Sequence, residues 1–535
     1  MEKLEVNPFL TDGRSISTDD VIEELFRRRT WKYTALVLSL MVNWFAAPSV
    51  VYITAFAGIN PSRETKWSCV SERCENITAS NTSLLLEFPC DMTEELDGKT
   101  ELVLKSSDIK WEISHSSFAV EFDLNCDIGS TKEKKTLLSS IFFAGALTGL
   151  ILGSFLFDQI GRKKSALVGY VSCVVATLLG TFCHDYYFLL AIRFFQGITT
   201  FICSTALYIL TVELLPAKYR NYVNTWSMLL WAVAGVPIAT AVGYFVKDWN
   251  YMFLATSVIF IIFNLQIIIC IESPRYFLIK GDAKAAKMSI KALAALTTSN
   301  LDVEKVELED LEKSRKREQS FWQQLVDLCS YPVLLVETLL LMFLWFFVGM
   351  SYYGFNFSWG SILPDLYLGY LIGGVGEALG YAVVAPLFAL LGRRRSMMLL
   401  FVLSAVFYLI GIPEVNLRKN SKWTLESVSC LFGNVVISGC FSAVYLWSAE
   451  LSPTSHRGFV LSVSSSAARV GSFLGPYIFQ NLKPITVKAV PLGGLGFLAA
   501  ACAFVSFLLV ETGDKEIALT GEDVETRRKQ YKYRL

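Results

Sequence analysis

Two ionisable residues stand inside stretches that otherwise read as hydrocarbon. Arg469 is the one charge in "SSSAARVGSFLGPYIFQNL" (464–482), and Glu377 lies in "LIGGVGEALGY". If the helix around Arg469 starts near Arg457, twelve residues carry Arg469 about 18 Å inward, close to the midplane of a hydrocarbon core about 30 Å thick. Facing lipid there, a guanidinium costs at least about 2.5–3.5 kcal/mol, so Arg469 must face a wet cavity or an opposite charge. Guanidinium binds carboxylate as a fork, which makes Arg469 a candidate donor to an anionic substrate group. The other reading is a permanent ion pair with Glu377; a pair that opens when substrate binds would serve both. The small residues Ser464, Ser465, Ser466, Ala467, Ala468, Gly471 and Ser472 leave room beside Arg469. Aromatic residues complete the candidate site: Trp345, Tyr352, Tyr353 and Phe357 in "LWFFVGMSYYGFNF", and Trp226 and Trp231 in "WSMLLWAV". Aromatic faces attract quaternary ammonium groups by about 0.5–2 kcal/mol each, although membrane helices are rich in aromatics that only pack.

A second set of charges sits at chain turns. Asp158 and Arg162 lie in "FDQIGRKK", Arg393 in "GRRR", Glu213 and Arg220 in "ELLPAKYR", and Glu450 and Arg457 in "ELSPTSHR". Ion pairs among them that form when one face is shut and part when it opens would be a bistable latch. Static pairing at helix ends is the plainer alternative.

Other chemistry lacks its residues. No phosphate-binding G-x-x-x-x-G-K-[ST] loop occurs, which speaks against an ATP-driven pump. His115, His184 and His456 all fall in loops, so neither metal nor other cofactor is expected. A membrane-embedded enzyme would need several polar groups at matching depth, and only Arg469 and Glu377 stand out; the chain does not read as an enzyme. Its formal net charge of zero gives no bulk attraction to nucleic acid.

The elements that position these residues are membrane helices. Of 535 residues 53% are hydrophobic and 18% charged, against about 25% charged in soluble domains. Twelve windows have spanning length: 33–57, 137–157, 165–182, 187–210, 222–245, 251–271, 333–353, 365–390, 396–412, 425–449, 458–481 and 489–510. The polar start carries no cleavable signal, so the first span is expected to act as its own insertion signal. Lys and Arg cluster before span 1, after spans 2, 4 and 8 and after span 12, which predicts both termini on the cytoplasmic side. The expected division is a cytoplasmic N-terminus (1–32), a six-helix half (33–271) with an extracellular loop (58–136), a cytoplasmic linker (272–330) of short amphipathic helices, a second half (331–510) and a cytoplasmic tail (511–535). The extracellular loop holds Cys69, Cys74, Cys90 and Cys126 and the sequons at Asn76 and Asn81, which fits glycosylation and two disulfides of open connectivity. A further sequon at Asn356 falls in span 7, where glycosylation is implausible.

The chain repeats itself. Tyr208, Glu213, Leu214, Pro216 and Arg220 match Tyr445, Glu450, Leu451, Pro453 and Arg457 at one offset, and "GRKK" matches "GRRR" at a similar one. A six-helix unit is therefore duplicated in parallel, an arrangement that holds substrate between its halves. The second copy lacks the aspartate: Ala389 stands where the first has Asp158, so the two latches are not equivalent.

"ESPRYFLIKGDAKAA" after span 6, "RFFQG" in span 4, "FDLNC" closing the outer loop, "AELSPTSHRG" after span 10 and "ET" at 511–512 resemble the organic-ion transporter family of the major facilitator superfamily, with its cation, anion and carnitine carriers. The resemblance implies an all-α membrane protein of twelve helices working by alternating access, with a small organic ion and the lipid bilayer as partners. In the cation transporters the position of Arg469 is aspartate; arginine there resembles the anion and carnitine branches. Tyr381, one turn after Glu377, resembles the carnitine branch, and Trp345 and Tyr352 match positions that line the cavity in relatives. One arginine with one nearby glutamate suits a zwitterion better than a dianion. The expected function is polyspecific transport of carnitine-like zwitterions or cations across the plasma membrane. Organic anion exchange on the same scaffold, and a non-transporting receptor, are the alternatives. Sodium, a proton or a counter-substrate all stay open as the coupling partner.

Overall fold

The computed structural model describes residues 18–59, 67–69, 93–96, 99–102, 109–111, 116–124, 129–298, 321–363, 365–412, 424–453, 456–482, 489–513, 518 and 520–532. Among them, nine helices are long and apolar enough to cross a membrane. Arg393–Ile410, Arg457–Leu482 and Ala489–Leu508 complete the twelve. The others are span 1 (Trp31–Ala57), span 2 (Gly129–Ile160), span 3 (Arg162–Gly180), span 4 (Tyr186–Glu213), span 5 (Ala217–Leu230, continued by a π turn at Trp231–Gly235 and by Val236–Phe245), span 6 (Trp249–Asn264), span 7 (Pro332–Asn356), span 8 (Leu366–Leu391) and span 10 (Leu425–Leu451). Three of them therefore begin at the turn motifs: Arg162 opens span 3, Arg393 span 9 and Arg457 span 11.

Polarity runs inside out. On span 3, Val168, Val171, Val175 and Leu179 share one helical face and lie 46–51% exposed, while Ser165, Cys173 and Thr177 on the other face are fully buried. That is the pattern of a helix whose outward solvent is lipid and whose inward neighbours are other helices.

Glycines show the duplication in three dimensions. An added Cβ would lie 2.6 Å from the Trp44 carbonyl at Gly235 and 2.0 Å from the Phe142 carbonyl at Gly197. It would lie 2.1 Å from the Phe346 carbonyl at Gly471 and 2.2 Å from the Val435 carbonyl at Gly380. Thus in each half the first span packs on the fifth and the second on the fourth, backbone against backbone, where no larger residue fits. The halves meet where span 2 packs on span 11 and span 5 on span 8.

The loop after span 1 departs from a purely helical chain. It carries two small antiparallel sheets, β1 (Trp67–Cys69) with β4 (Ile109–Trp111) and β2 (Thr93–Leu96) with β3 (Lys99–Leu102). A short helix, Phe118–Glu121, returns it to the bundle: Trp249 Nε1 donates to Glu121 Oε2 at 2.7 Å, and Phe118 packs on the Trp249 ring. Trp249→Phe is expected to cost about 1–2 kcal/mol, one hydrogen bond to a charged group, read as a lowered thermal midpoint in detergent. Cys74, Cys90, Cys126, Asn76 and Asn81 lie outside the described residues, as does the Cys69 side chain. The linker shows the expected short helices at Pro274–Ile279, Ala283–Ala294 and Phe321–Ser330; its most charged stretch, 299–320, lies outside the described residues.

Two more helices lie on the face that carries both ends of the chain. Thr18–Arg27 buries Val21, Ile22 and Leu25, and its Asp19 pairs with both Arg220 and Arg275. Burial holds the Arg275 guanidinium below its usual range, which makes the Asp19 carboxylate a needed neighbour. Gly521–Lys532 buries Val524 and sends Arg527 to Glu337 at the start of span 7.

Candidate functional site between the two halves

Glu377 is fully buried on span 8. Its two oxygens accept from the Tyr352 hydroxyl at 2.8 Å and from Asn356 Nδ2 at 3.1 Å, both on span 7, and Asn356 in turn accepts from Trp359 Nε1 at 3.1 Å. Arg469, half-buried on span 11, donates to the Ser465 carbonyl at 3.0 Å and lies 5.3 Å over the Phe201 ring of span 4. Among the described residues no carboxylate pairs with it, so the permanent Arg469–Glu377 pair is not formed. Neutral groups hold both charges, and neither cancels the other. Tyr353 links them: it lies within electrostatic reach of both and touches Phe143 of span 2, with ring centroids 4.3 Å apart.

The remaining predicted substrate residues gather here to differing degrees. Tyr381 is buried beside the Tyr352 hydroxyl. Trp345 is fully buried, its Nε1 donating to Ser448 Oγ at 3.0 Å and its ring 4.3 Å from that of Tyr445. Trp231 is buried between Trp44 and Tyr52, whereas Trp226 is 56% exposed on the outer surface, away from the site. Asn356 lies buried in span 7, where no glycan fits, and its amide instead serves Glu377.

Towards the loop face, aromatic rings close the seam between the halves. Tyr52 of span 1 meets Phe357 at 5.5 Å and Tyr370 at 5.2 Å. Phe56 stacks on Tyr367 at 5.9 Å, and Tyr244 of span 5 meets the same ring at 5.3 Å. Each such pair is worth about 0.5–1.5 kcal/mol beyond its buried area.

On the opposite face the turn charges pair within each half. Arg162 reaches Glu213 at 3.3 Å and Asp158 at 3.6 Å, Asp158 being 66% exposed. Arg393 grips Glu450 with Nε at 3.0 Å and Nη2 at 3.0 Å. Arg220 turns instead to the Val212 and Leu215 carbonyls and Asp19. Buried Nε and Nη2 atoms of Arg457 find no partner among the described residues. The Glu213/Arg220 and Glu450/Arg457 motifs are therefore not internal pairs, and no described ion pair crosses between the halves on this face.

Sequence reasoning missed four features. Glu272 caps span 3, accepting from the Arg162 and Lys163 amides at 3.1 and 3.0 Å, and Glu511 caps span 9, accepting from the Arg393 and Arg394 amides at 2.9 and 3.0 Å. These glutamates belong to "ESPR" and "ET", which carried the resemblance but had no assigned role. The third is Arg193 of "RFFQG", fully buried and spread over the Val50 and Val51 carbonyls at 2.7 and 3.1 Å and Gln196 Oε1 at 2.8 Å. Glu337 likewise lies inside a span, so Arg469 and Glu377 are not the only charges there. An arginine between the apolar run 188–192 and Phe194 and Phe195 was the signal for Arg193.

Twelve membrane helices in two matching halves, with uncancelled charges at their junction, define a major facilitator transporter. The comparisons agree and place it more closely. Residues 109–521 match the sugar (and other) transporter family, and the chain belongs to it. It is 27% identical to the solute carrier family 22 member 15-like protein of Xenopus laevis, over 74% of this chain and 79% of that one. Solute carrier family 22 member 6 of Pseudopleuronectes americanus is 26% identical over 81% of this chain and 76% of its own length. Organic cation transporter 1 of Caenorhabditis elegans is 27% identical over 78% and 71%. Among solved structures, the partially occluded inward open conformation of the xylose transporter XylE from E. coli matches with a TM-score of 0.60 at 12% identity, covering 91% of this chain and 100% of that one. At that identity the match speaks for the fold alone.

Proposed function

We propose that this chain is a polyspecific carrier of small organic zwitterions or cations, carnitine-like in chemistry, moving them across the plasma membrane by alternating access. One observation carries the reading: Arg469 and Glu377 are opposite charges that both act on Tyr353, each held by neutral groups and neither neutralised by the other among the described residues. A buried charge without a counter-charge is costly, and a substrate with a carboxylate at one end and an ammonium at the other would relieve both costs at once. Tyr352, Tyr353 and Tyr381 would give the ammonium end aromatic faces without demanding one shape. Relatives named as organic cation transporters and as solute carrier family 22 members support the substrate class. In the transport cycle the aromatic seam on the loop face would part while Arg162, Glu213, Arg220, Arg393, Glu450 and Arg457 regroup to close the other face.

The test is an uptake panel in cells displaying the protein: one cation, one anion and one zwitterion, each with and without sodium. Saturable zwitterion uptake is the expected result. Uptake of the anion alone, with trans-stimulation, would establish organic anion exchange through Arg469 instead.

A further inference from the structure

We propose that Trp359 is a positioning residue of the carrier: acting through Asn356, it fixes how Glu377 presents its carboxylate to the positive end of the substrate. This rests on the cation reading above and deepens it.

The arrangement starts from what an indole can do. Its N–H donates and it has no acceptor to offer, whereas a side-chain amide can turn either end to a neighbour. Trp359 Nε1 donates to Asn356 at 3.1 Å, so the atom it meets must be Oδ1. That choice fixes the other end. Nδ2 is turned away from the indole and donates at 3.1 Å to Glu377 Oε1 and at 3.1 Å to the Tyr352 carbonyl. With the Tyr352 hydroxyl on Oε2 at 2.8 Å, each Glu377 oxygen accepts from a neutral donor, and the carboxylate meets its site as an acceptor. An amide without the indole has no such preference, because its two ends are nearly alike in shape. Turned about, it would set Oδ1 against Glu377 Oε1, two acceptors with no hydrogen between them, and the carboxylate would swing off its position.

The fold is built to hold the indole there. Trp359 opens a short helix, Trp359–Ile362, on the way from span 7 to span 8, and is fully buried. Its side chain lies on two glycines of span 8. An added Cβ would come within 3.2 Å of Trp359 Cβ at Gly369 and within 3.2 Å of Trp359 Nε1 at Gly373. Gly369, Gly373 and Glu377 stand one turn apart on one helix face, so the indole lies along the row that ends at the carboxylate. The short helix is itself tied down: Ser427 of span 10 donates to the Ile362 carbonyl at 2.7 Å, and the Leu363 amide donates to the Trp359 carbonyl at 2.9 Å.

The test uses the full chain in lipid nanodiscs, with tetraethylammonium as the probe. Trp359→Phe keeps an aromatic ring and removes the N–H. It should weaken tetraethylammonium binding about three- to tenfold, the worth of one hydrogen bond. Asn356→Ala should weaken it at least as much. With Asn356 already replaced, adding Trp359→Phe should change affinity by less than about twofold, because the relay is cut. A ring that only packs would lower the thermal midpoint and leave affinity alone, or would cost the same affinity with and without Asn356; either result overturns the proposal. Where phenylalanine unsettles the fold, 3-benzothienylalanine at position 359 keeps the two-ring shape without the N–H. Tetraethylammonium bound by that chain as tightly as by the unaltered one overturns the relay and leaves the cation site standing. An unaltered chain that does not bind tetraethylammonium overturns the cation reading itself, and the relay with it.

Discussion

Arg469→Ala is expected to abolish uptake of carboxylate-bearing substrates while leaving the protein at the cell surface. A forked, charge-assisted contact in a site of low dielectric is worth about 2–5 kcal/mol, so affinity should fall about 30-fold or more. Folding should survive because the side chain does little structural work. It is half-buried, its one protein hydrogen bond is to its own helix at Ser465, and its removal strands no carboxylate among the described residues. Truncating Arg193 would be different in kind, since that guanidinium satisfies carbonyls of span 1 from the core of span 4. Arg469→Lys keeps the charge but loses the fork and should retain only weak uptake. Arg469→Asp places a second acid near Glu377 and should turn preference towards simple cations. Surface labelling together with uptake of the three-substrate panel checks all of this. Wild-type zwitterion transport by a surface-displayed Arg469→Ala would mean that the guanidinium does not hold substrate.

Much of this architecture is legible in the sequence because hydrocarbon imposes a plain rule. A spanning segment must be about 20 apolar residues and must satisfy its own backbone. The window 333–353 therefore became Pro332–Asn356, and 425–449 became Leu425–Leu451. The duplication was equally plain, because the same turn needs the same residues in both copies. What the sequence could not supply was the partner of each charge. Glu213 and Arg220 stand close in the chain, yet Glu213 pairs with Arg162 from the neighbouring turn and Arg220 with Asp19 of the N-terminal helix. Helices brought together by packing set such pairings, and spacing along one helix says nothing about which neighbour arrives. The same limit hid the site's anatomy. Glu377 was an intramembrane acid in need of a partner, and the nearest imagined one was Arg469, but span 7 supplies Tyr352 and Asn356 first.

The two glutamate caps explain why the turn motifs need glycine, and they carry the second large effect. Gly161 and Gly392 adopt φ of 96° and 80°, a region that side chains rarely enter. A Cβ at Gly161 would also lie 2.5 Å from Glu272 Oε2, and one at Gly392 would lie 2.8 Å from Glu511 Oε2. Gly161→Ala therefore strains the turn and pushes the carboxylate off the first amides of span 3, where the helix dipole favours it. Arg162, whose amide Glu272 holds and whose guanidinium holds Glu213, loses its position too. Together these should cost about 2–4 kcal/mol, seen as a lower thermal midpoint and a smaller fraction of protein at the surface. Gly392→Ala should do the same at span 9, because the duplicated turn is built the same way. Gly458→Ala, where nothing lies within 4 Å of the new methyl, is the control and should change stability by less than about 1 kcal/mol. If the loss at Gly161 runs through the cap, adding Glu272→Gln to Gly161→Ala should cost far less than Glu272→Gln costs alone. Additive losses would show instead that the turn strain and the cap are independent, and that the repeated glycine serves only the bend.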